Sequence, residues 1–310
     1  MLRLQIVRSN RILTAAALLA FAGCSSASGT GGVPPISSQA SMISQVSLDN
    51  GTKAELFVGD SGTNEVSTFA WPKPKSPTGS LTGFSEPQGG CSDAKGDVYV
   101  ANTGDSNLLG FAVGNSKPIN TLNDTGQYPV GCSYDWKYGN IAAANIISIS
   151  DGPGSVSIYA NEKGSPKTIG SSLVTRFYFI AYDGSGNLYA SGENSSYQPA
   201  LAELPAGSNT FKAVCPKLLA KGLSVAGWDG KYVLFDGDGA VYRVKGCTIV
   251  GSTPIGGASG SVAVSEGRIV VANAGSASVD IYSYPKGKLL QTLTGFSEPI
   301  GVAIGGVKTK

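Results

Sequence analysis

The chain of 310 residues contains no histidine, and only 14% of its residues are charged. Histidine is the most common general base and the usual imidazole ligand of metal ions. Its absence excludes Ser-His-Asp hydrolysis and His-ligated zinc or iron sites. The sequence also lacks a G-x-S-x-G elbow, a P-loop and a C-x-x-C pair, which argues against hydrolase, nucleotide-binding and redox chemistry of those types.

The chain also lacks an excess of either charge, with 23 Lys and Arg against 21 Asp and Glu. Three of the arginines lie in the first eleven residues, and without them the balance is close to zero. A nearly neutral domain offers no basic surface for nucleic acid or for anionic lipid. We therefore expect no nucleic-acid partner.

The first 23 residues have the pattern of an export signal. The three arginines are followed by an uncharged apolar run at residues 12–22, which is too short to span a bilayer comfortably as a permanent helix. Small residues before Cys24 resemble the lipobox of bacterial lipoproteins, with Phe21 departing from the usual aliphatic residue. The resemblance implies that Cys24 is lipid-modified and becomes the mature N-terminus; the alternative is an ordinary cleaved signal with an incidental cysteine.

Residues 24–45 are rich in Ser, Gly and Pro, and the stretch carries no charge. Such a segment cannot bury enough apolar surface to fold, so we interpret it as a flexible tether before a domain at residues 46–310. Together with Cys24, it predicts an exported protein that a lipid anchors to the membrane of the cell envelope. Ser25 implies sorting to the outer membrane if the host has two membranes.

Four cysteines remain after Cys24, and an even number in an exported chain indicates disulfides. Four cysteines allow three pairings, and buried free thiols are the alternative. Cys91 and Cys132 each lie in a Gly-Cys-Ser triplet at similar places in successive repeats. We therefore predict a Cys91–Cys132 disulfide, with Cys215–Cys247 as the remaining pair.

A short apolar strand that ends in small or polar residues recurs through the chain, for example VYVAN and IVVAN. Successive copies are 37 to 47 residues apart, and each is followed by two further short strands. A period near forty with about four strands per unit is typical of propeller blades. The copies end at Asp60, Asn102, Asn145, Gly192, Asp236 and Asn273.

The heptapeptide LTGFSEP occurs at residues 81–87 and again at 293–299. The strand at residues 301–306 has no strand after it, and the first unit has no clear inner strand before it. We predict an all-β fold, a six-bladed β-propeller closed by the C-terminal strand completing the first blade. The alternatives are residues 43–48 as the first inner strand, or a β-sandwich.

The first strand of each unit should be built of small residues, because these strands converge on the axis. Together with the D-x-x-G turn and the YVAN strand, this pattern resembles the NHL-repeat and SMP-30-like six-bladed propellers over about residues 54–306. The resemblance implies the fold. For SMP-30-like lactonases it also implies a divalent cation held by Glu, Asn and Asp near the axis, but no matching ligand set can be assigned here.

The polar residues at the strand ends are expected around one rim of the ring, the top face. Their oxygens suit a hard cation such as Ca²⁺, whereas the alternative is that they cap their own loops. A second possible site is aromatic, since an exposed Trp136 or Trp228 beside Tyr138 could stack on a sugar or a peptide, or else fill a gap between blades. The rim candidates are Asp60, Asn102, Asn145, Asp236 and Asn273.

These observations predict a non-enzymatic binding scaffold for a protein or carbohydrate partner in the envelope, with no cofactor. The alternative is a lactonase or related hydrolase that depends on Ca²⁺ or another divalent cation. The sequence identifies neither the ligand nor a metal site.

Overall fold

A computed structural model describes residues 53–256 and 261–307. The predicted signal at residues 1–23, the tether at 24–45 and Cys24 lie outside the described residues. Within them, 24 strands form six four-stranded antiparallel sheets around a ring, which is a six-bladed β-propeller. None of the helices in this part of the chain is long and apolar enough to span a bilayer.

Each blade is given from its innermost strand to its outermost strand. The first blade is β24 (Pro299–Gly305), β1 (Glu55–Asp60), β2 (Glu65–Ala70) and β3 (Pro77–Leu81); the second is β4 (Pro87–Ser92), β5 (Val98–Asn102), β6 (Asn107–Phe111) and β7 (Asn120–Asn123). The third is β8 (Gln127–Tyr134), β9 (Ile141–Ser148), β10 (Pro153–Tyr159) and β11 (Lys167–Ile169).

The other three blades repeat this order. The fourth is β12 (Arg176–Tyr182), β13 (Leu188–Glu193), β14 (Pro199–Leu204) and β15 (Lys212–Ala213); the fifth is β16 (Ser224–Trp228), β17 (Val233–Gly237), β18 (Ala240–Lys245) and β19 (Thr248–Pro254). The sixth is β20 (Val262–Ser265), β21 (Arg268–Asn273), β22 (Ser278–Ser283) and β23 (Leu289–Leu293). The helices are α1 (Pro216–Ala220) and the short 3-10 turns Thr103–Asp105, Ala160–Glu162 and Ala274–Ser276.

The ring closes through its last strand. β24 pairs antiparallel with β1 from Glu55 opposite Gly305 to Asp60 opposite Pro299, so the C-terminus supplies the innermost strand of the first blade. This confirms the predicted closure. The pairing also satisfies the backbone groups of both strands, which a surplus strand would leave exposed.

The innermost strands are almost fully buried, and most are built of small residues as predicted. β12 is different, because it carries three consecutive buried aromatic residues at 177–179. The expectation of a small inner strand was therefore wrong for the fourth blade. The rings of Phe177 and Phe211 pack 5.4 Å apart between the centroids, so here aromatic side chains fill the space around the inner strand.

Both predicted disulfides are present. Cys91–Cys132 joins the inner strands β4 and β8 of neighbouring blades, with Cα atoms 5.5 Å apart. Cys215–Cys247 joins the segment after β15 to the turn between β18 and β19, with Cα atoms 5.2 Å apart. Each disulfide therefore links two successive blades.

Candidate functional site

The propeller has two faces with different loops. The upper face carries the turns between the second and third strands of each blade and the crossovers between blades. The lower face carries the hairpin turns between the first and second strands and between the third and fourth strands. The described chain enters β1 on the lower face.

Asp60, the first rim candidate, is buried on the upper face and binds the second copy of LTGFSEP. Its carboxylate accepts hydrogen bonds from the backbone N–H groups of Ser297 and Glu298, each at 2.7 Å. A third bond comes from the N–H of Gly62 at 3.1 Å. The carboxylate thus holds the crossover from the sixth blade to the first through three backbone N–H groups.

Asn102 has the equivalent role in the second blade. Its Oδ1 accepts a hydrogen bond from the N–H of Ser85, in the first copy of LTGFSEP, at 2.7 Å. Gly83 and Gly295 occupy the same place in the two copies, and both adopt positive φ, which favours glycine. The repeated heptapeptide is therefore a crossover that docks on the polar residue ending the second strand of the next blade.

The other three rim candidates are also buried. The Nδ2 of Asn145 donates to Ser155 and Ser157, and the Nδ2 of Asn273 donates to the Asp280 carboxylate at 2.8 Å. Asp236 ends the buried part of β17. The structure brings the five candidates to one face. Asp60, Asn102 and Asn273 hydrogen-bond to loops and neighbouring strands, whereas the Oδ1 of Asn145 has no partner in the described residues.

A charged cluster lies on the lower face between the second and third blades. The Lys95 ammonium contacts the carboxylates of Asp93 at 3.4 Å and Glu162 at 2.7 Å. Burial and the charge of Glu162 raise the pKa of Asp93 to about 6. Asp93 also accepts the N–H groups of Lys95 and Asp97, which closes the D-x-x-G turn. In the described part of the chain, no three His, Cys, Asp or Glu side chains are arranged to hold a metal ion.

A cleft of about 490 Å³ opens on the lower face between the third and fourth blades. Its volume lies in the range of about 300–1,000 Å³ that is usual for ligand sites. The wall of the cleft is mostly apolar, and polar groups lie at the inner end and at the mouth of the cleft. The lining includes Asp135, Tyr138, Ile169, Tyr182, Leu204 and Lys167.

Tyr138 is the exposed aromatic residue at the mouth of this interblade cleft. Its side chain is 51% exposed, which is unusual for a large ring in this domain. The ring packs against Gly186, where a Cβ atom would lie only 2.7 Å from the ring edge. The Lys137 ammonium lies 4.7 Å from the ring centroid. A residue with a side chain at position 186 would therefore displace the ring.

Tyr182 stands at the inner end of the cleft and is only 4% exposed. No residue in the described ranges forms a hydrogen bond with its hydroxyl, although its backbone N–H donates to Ser133. Burial and the charge of Asp135 raise the pKa of Tyr182, so the hydroxyl stays protonated and can donate. The residue as a whole is buried, but the hydroxyl is not one of the buried polar atoms without a partner, so it reaches the cleft and is free to donate to a ligand acceptor.

Asp135 lies beside this hydroxyl and is almost fully buried. Its Oδ1 accepts the N–H groups of Lys137 and Tyr138 at 3.0 and 3.1 Å, and its Oδ2 accepts from the Nδ2 of Asn140 at 3.3 Å. Burial raises the pKa of Asp135, while these three bonds lower it in part. One lone pair of Oδ2 remains to accept a further hydrogen bond.

Sequence reasoning identified Tyr138 but missed the other cleft residues. Tyr182 and Asp135 belong to Tyr-Asp pairs that end β8 and β12 (SYDWKYG and AYDGSGN), and that repetition was the available signal. Trp136 and Trp228 do not form the site, because they pack between elements of the fold. The Trp136 ring meets the Tyr134 ring edge-on, and Trp228 lies against Gly184.

Comparison with known proteins supports the fold. No protein-family model matches the chain, and no curated protein does. A chain in the crystal structure of a nidogen/laminin complex is similar over 81% of this chain and 98% of its own length, with 12% identity and a TM-score of 0.64. A protein of unknown function from Bacteroides caccae is similar over 82% of this chain and 99% of its own, with 13% identity and a TM-score of 0.58. At these identities the likeness shows that the chain has the propeller fold and nothing finer.

Proposed function

We propose that this protein is an exported, envelope-tethered propeller that binds a protein or carbohydrate ligand without transforming it. The observation that carries the proposal is the interblade cleft, where an exposed ring at the mouth and the Tyr182 hydroxyl at the inner end, which has no partner in the described residues, flank an apolar wall. Concave apolar sites with a few convergent polar groups are the usual form of ligand sites.

Two further features support the binding role. The P-x-G, D-x-x-G and YVAN pattern resembles NHL-repeat propellers, and one similar structure is a chain from a complex between two proteins, nidogen and laminin. The lactonase alternative gains no support, because the described residues offer no carboxylate cluster for a cation, and the rim candidates Asp60 and Asn102 are engaged by backbone groups of the protein.

The tethering part of the proposal is supported by the leader and by Cys24. Incorporation of radiolabelled palmitate into the expressed protein tests it, with Cys24→Ser as the matched variant. We expect label in the parent protein and none in the variant. Equal labelling, or none in either protein, would rule out the lipid anchor and leave the binding role to be judged separately.

The binding part is tested by filling the cleft. Ala206 is exposed and lines the cleft, so Ala206→Trp should block it; Ala70→Trp places the same side chain at an exposed position in the first blade. Saturation-transfer NMR of the purified full-length protein would use a mixed library of sugars, short peptides and aromatic amides. We expect binders that Ala206→Trp abolishes and Ala70→Trp retains. Binding that both variants retain, or no binding, would contradict the proposal.

A further inference from the structure

We propose that the ligand of the interblade cleft is a neutral sugar residue of a glycan. The inference rests on the proposed function and assigns a chemical class to the same site. It follows from three properties of the cleft: a hydroxyl beside a carboxylate at the inner end, an apolar wall, and an exposed ring at the mouth.

The inner end of the cleft favours a ligand group that both donates and accepts hydrogen bonds. Tyr182 offers a hydroxyl with no partner in the described chain, and the neighbouring Asp135 has one lone pair of Oδ2 unused. A ligand hydroxyl satisfies both, because it accepts from the phenol and donates to the carboxylate. A carbonyl satisfies only the phenol, and an apolar group satisfies neither.

Charge and hydrogen-bonding capacity disfavour ionised ligands at the same position. A ligand carboxylate would face the buried charge of Asp135, and no basic side chain lines the inner end to offset that repulsion. A ligand ammonium would be attracted by Asp135, but it has no acceptor for the phenol proton of Tyr182. A neutral hydroxyl group meets neither penalty.

The remaining wall suits a sugar ring better than a flat polar ligand. Ile169 and Leu204 present an aliphatic surface, and Tyr138 offers a half-exposed ring at the mouth. A pyranose has an apolar C–H face with hydroxyls around its edge. Its face would lie against these side chains while the edge hydroxyls reach Tyr182, Asp135 and the Lys167 ammonium.

The test uses calorimetric titration of the full-length protein. The probes are the methyl glycosides of glucose, galactose, mannose and N-acetylglucosamine, methyl glucuronide as the charged control, and N-acetyl-tyrosine amide as the peptide control. We expect at least one neutral glycoside to bind and to be lost in Ala206→Trp. We expect methyl glucuronide to bind more weakly than its neutral counterpart.

Tyr182→Phe should weaken glycoside binding about five- to tenfold, as expected for one hydrogen bond to a buried donor. It should not lower the melting temperature of the free protein, because the hydroxyl has no partner there. Tyr134→Phe is the matched control. Tyr134 ends the inner strand of the preceding blade, and its hydroxyl accepts from the backbone of Ala94, so we expect a lower melting temperature and unchanged binding.

The outcomes separate the two proposals. If N-acetyl-tyrosine amide binds and Ala206→Trp abolishes it, while no neutral glycoside binds, the glycan assignment is wrong and the binding role of the cleft stands. If glycosides bind equally to the parent protein and Ala206→Trp, or Tyr182→Phe leaves their affinity unchanged, the assignment is also overturned. If no probe of any class binds, both proposals fail.

Discussion

Replacing Asp60 by alanine should weaken the closure of the ring. The Asp60 carboxylate accepts two backbone hydrogen bonds at 2.7 Å from Ser297 and Glu298, across the junction between the last blade and the first. A hydrogen bond to a charged group contributes about 1.5–3 kcal/mol. Asp60 is buried, but Ser297 is exposed and Glu298 is half-buried, so water can replace part of what the two N–H groups lose. Because the two bonds belong to one carboxylate and are not additive, we expect Asp60→Ala to lower the free energy of unfolding by about 2–4 kcal/mol.

Asn102→Ala is the matched control, because Asn102 holds the other copy of LTGFSEP through one neutral acceptor. Its Oδ1 accepts one bond from the Ser85 N–H, and its Nδ2 donates to Asp105 and Asn107, which water can also reach. We therefore expect a loss of about 1–2 kcal/mol. Urea unfolding followed by tryptophan fluorescence measures both values. A loss for Asp60→Ala below about 1 kcal/mol, or one no larger than for Asn102→Ala, would refute the reasoning that Asp60 secures the closure.

Three further predictions concern stability. A Cβ atom on Gly104 would lie 2.1 Å from the hydroxyl of Ser85 in the docked crossover, whereas one on Gly275 would meet nothing within 4 Å. Gly104→Ala should therefore lower the free energy of unfolding in urea by about 1–3 kcal/mol, and Gly275→Ala should change it by almost nothing. Equal losses would contradict the docking. Burial raises the pKa of Asp93 to about 6, so its protonated form is favoured in the folded state. The melting temperature should therefore rise as pH falls from 7 towards 5, and Asp93→Asn should reduce that rise. The same pH profile in both proteins would contradict this role of Asp93. Replacing Cys91 and Cys132 together by serine should lower the free energy of unfolding by about 2–4 kcal/mol, since the disulfide joins residues 41 positions apart. A loss below about 0.5 kcal/mol would show that the disulfide adds little stability.

The repeat pattern was enough to predict the blades, the closure and the Cys91–Cys132 disulfide, whereas Cys215–Cys247 was predicted only as the remaining pair. Each depends on a property that recurs at a fixed spacing, such as the Gly-Cys-Ser triplets that place Cys91 and Cys132 on neighbouring inner strands. The docking of LTGFSEP could be predicted from the sequence only in part. Its two copies are visible in the sequence, but the partner of Ser297 is Asp60, 237 residues away, and no local rule connects them.

The candidate site was harder to predict because it lies between blades. Tyr182 ends an inner strand of the fourth blade and Ile169 belongs to the outer strand of the third, so their proximity depends on how two sheets pack. The bulky inner strand β12 was missed for the same reason. Residue size at the axis is limited by the neighbouring strands, and the blades around Phe177 leave room for aromatic rings.

Mapping where a ligand binds tests most directly whether the interblade cleft is the binding site. Methyl NMR of the full-length protein with labelled isoleucine and leucine provides reporters on the cleft wall at Ile158, Ile169, Leu188 and Leu204, with Ile149 as an exposed reporter on the upper face. Titration with the methyl glycoside mixture should shift the four cleft signals and leave Ile149 unchanged. Shifts confined to the upper face, or no shift at the cleft, would contradict the central claim that this cleft is the binding site.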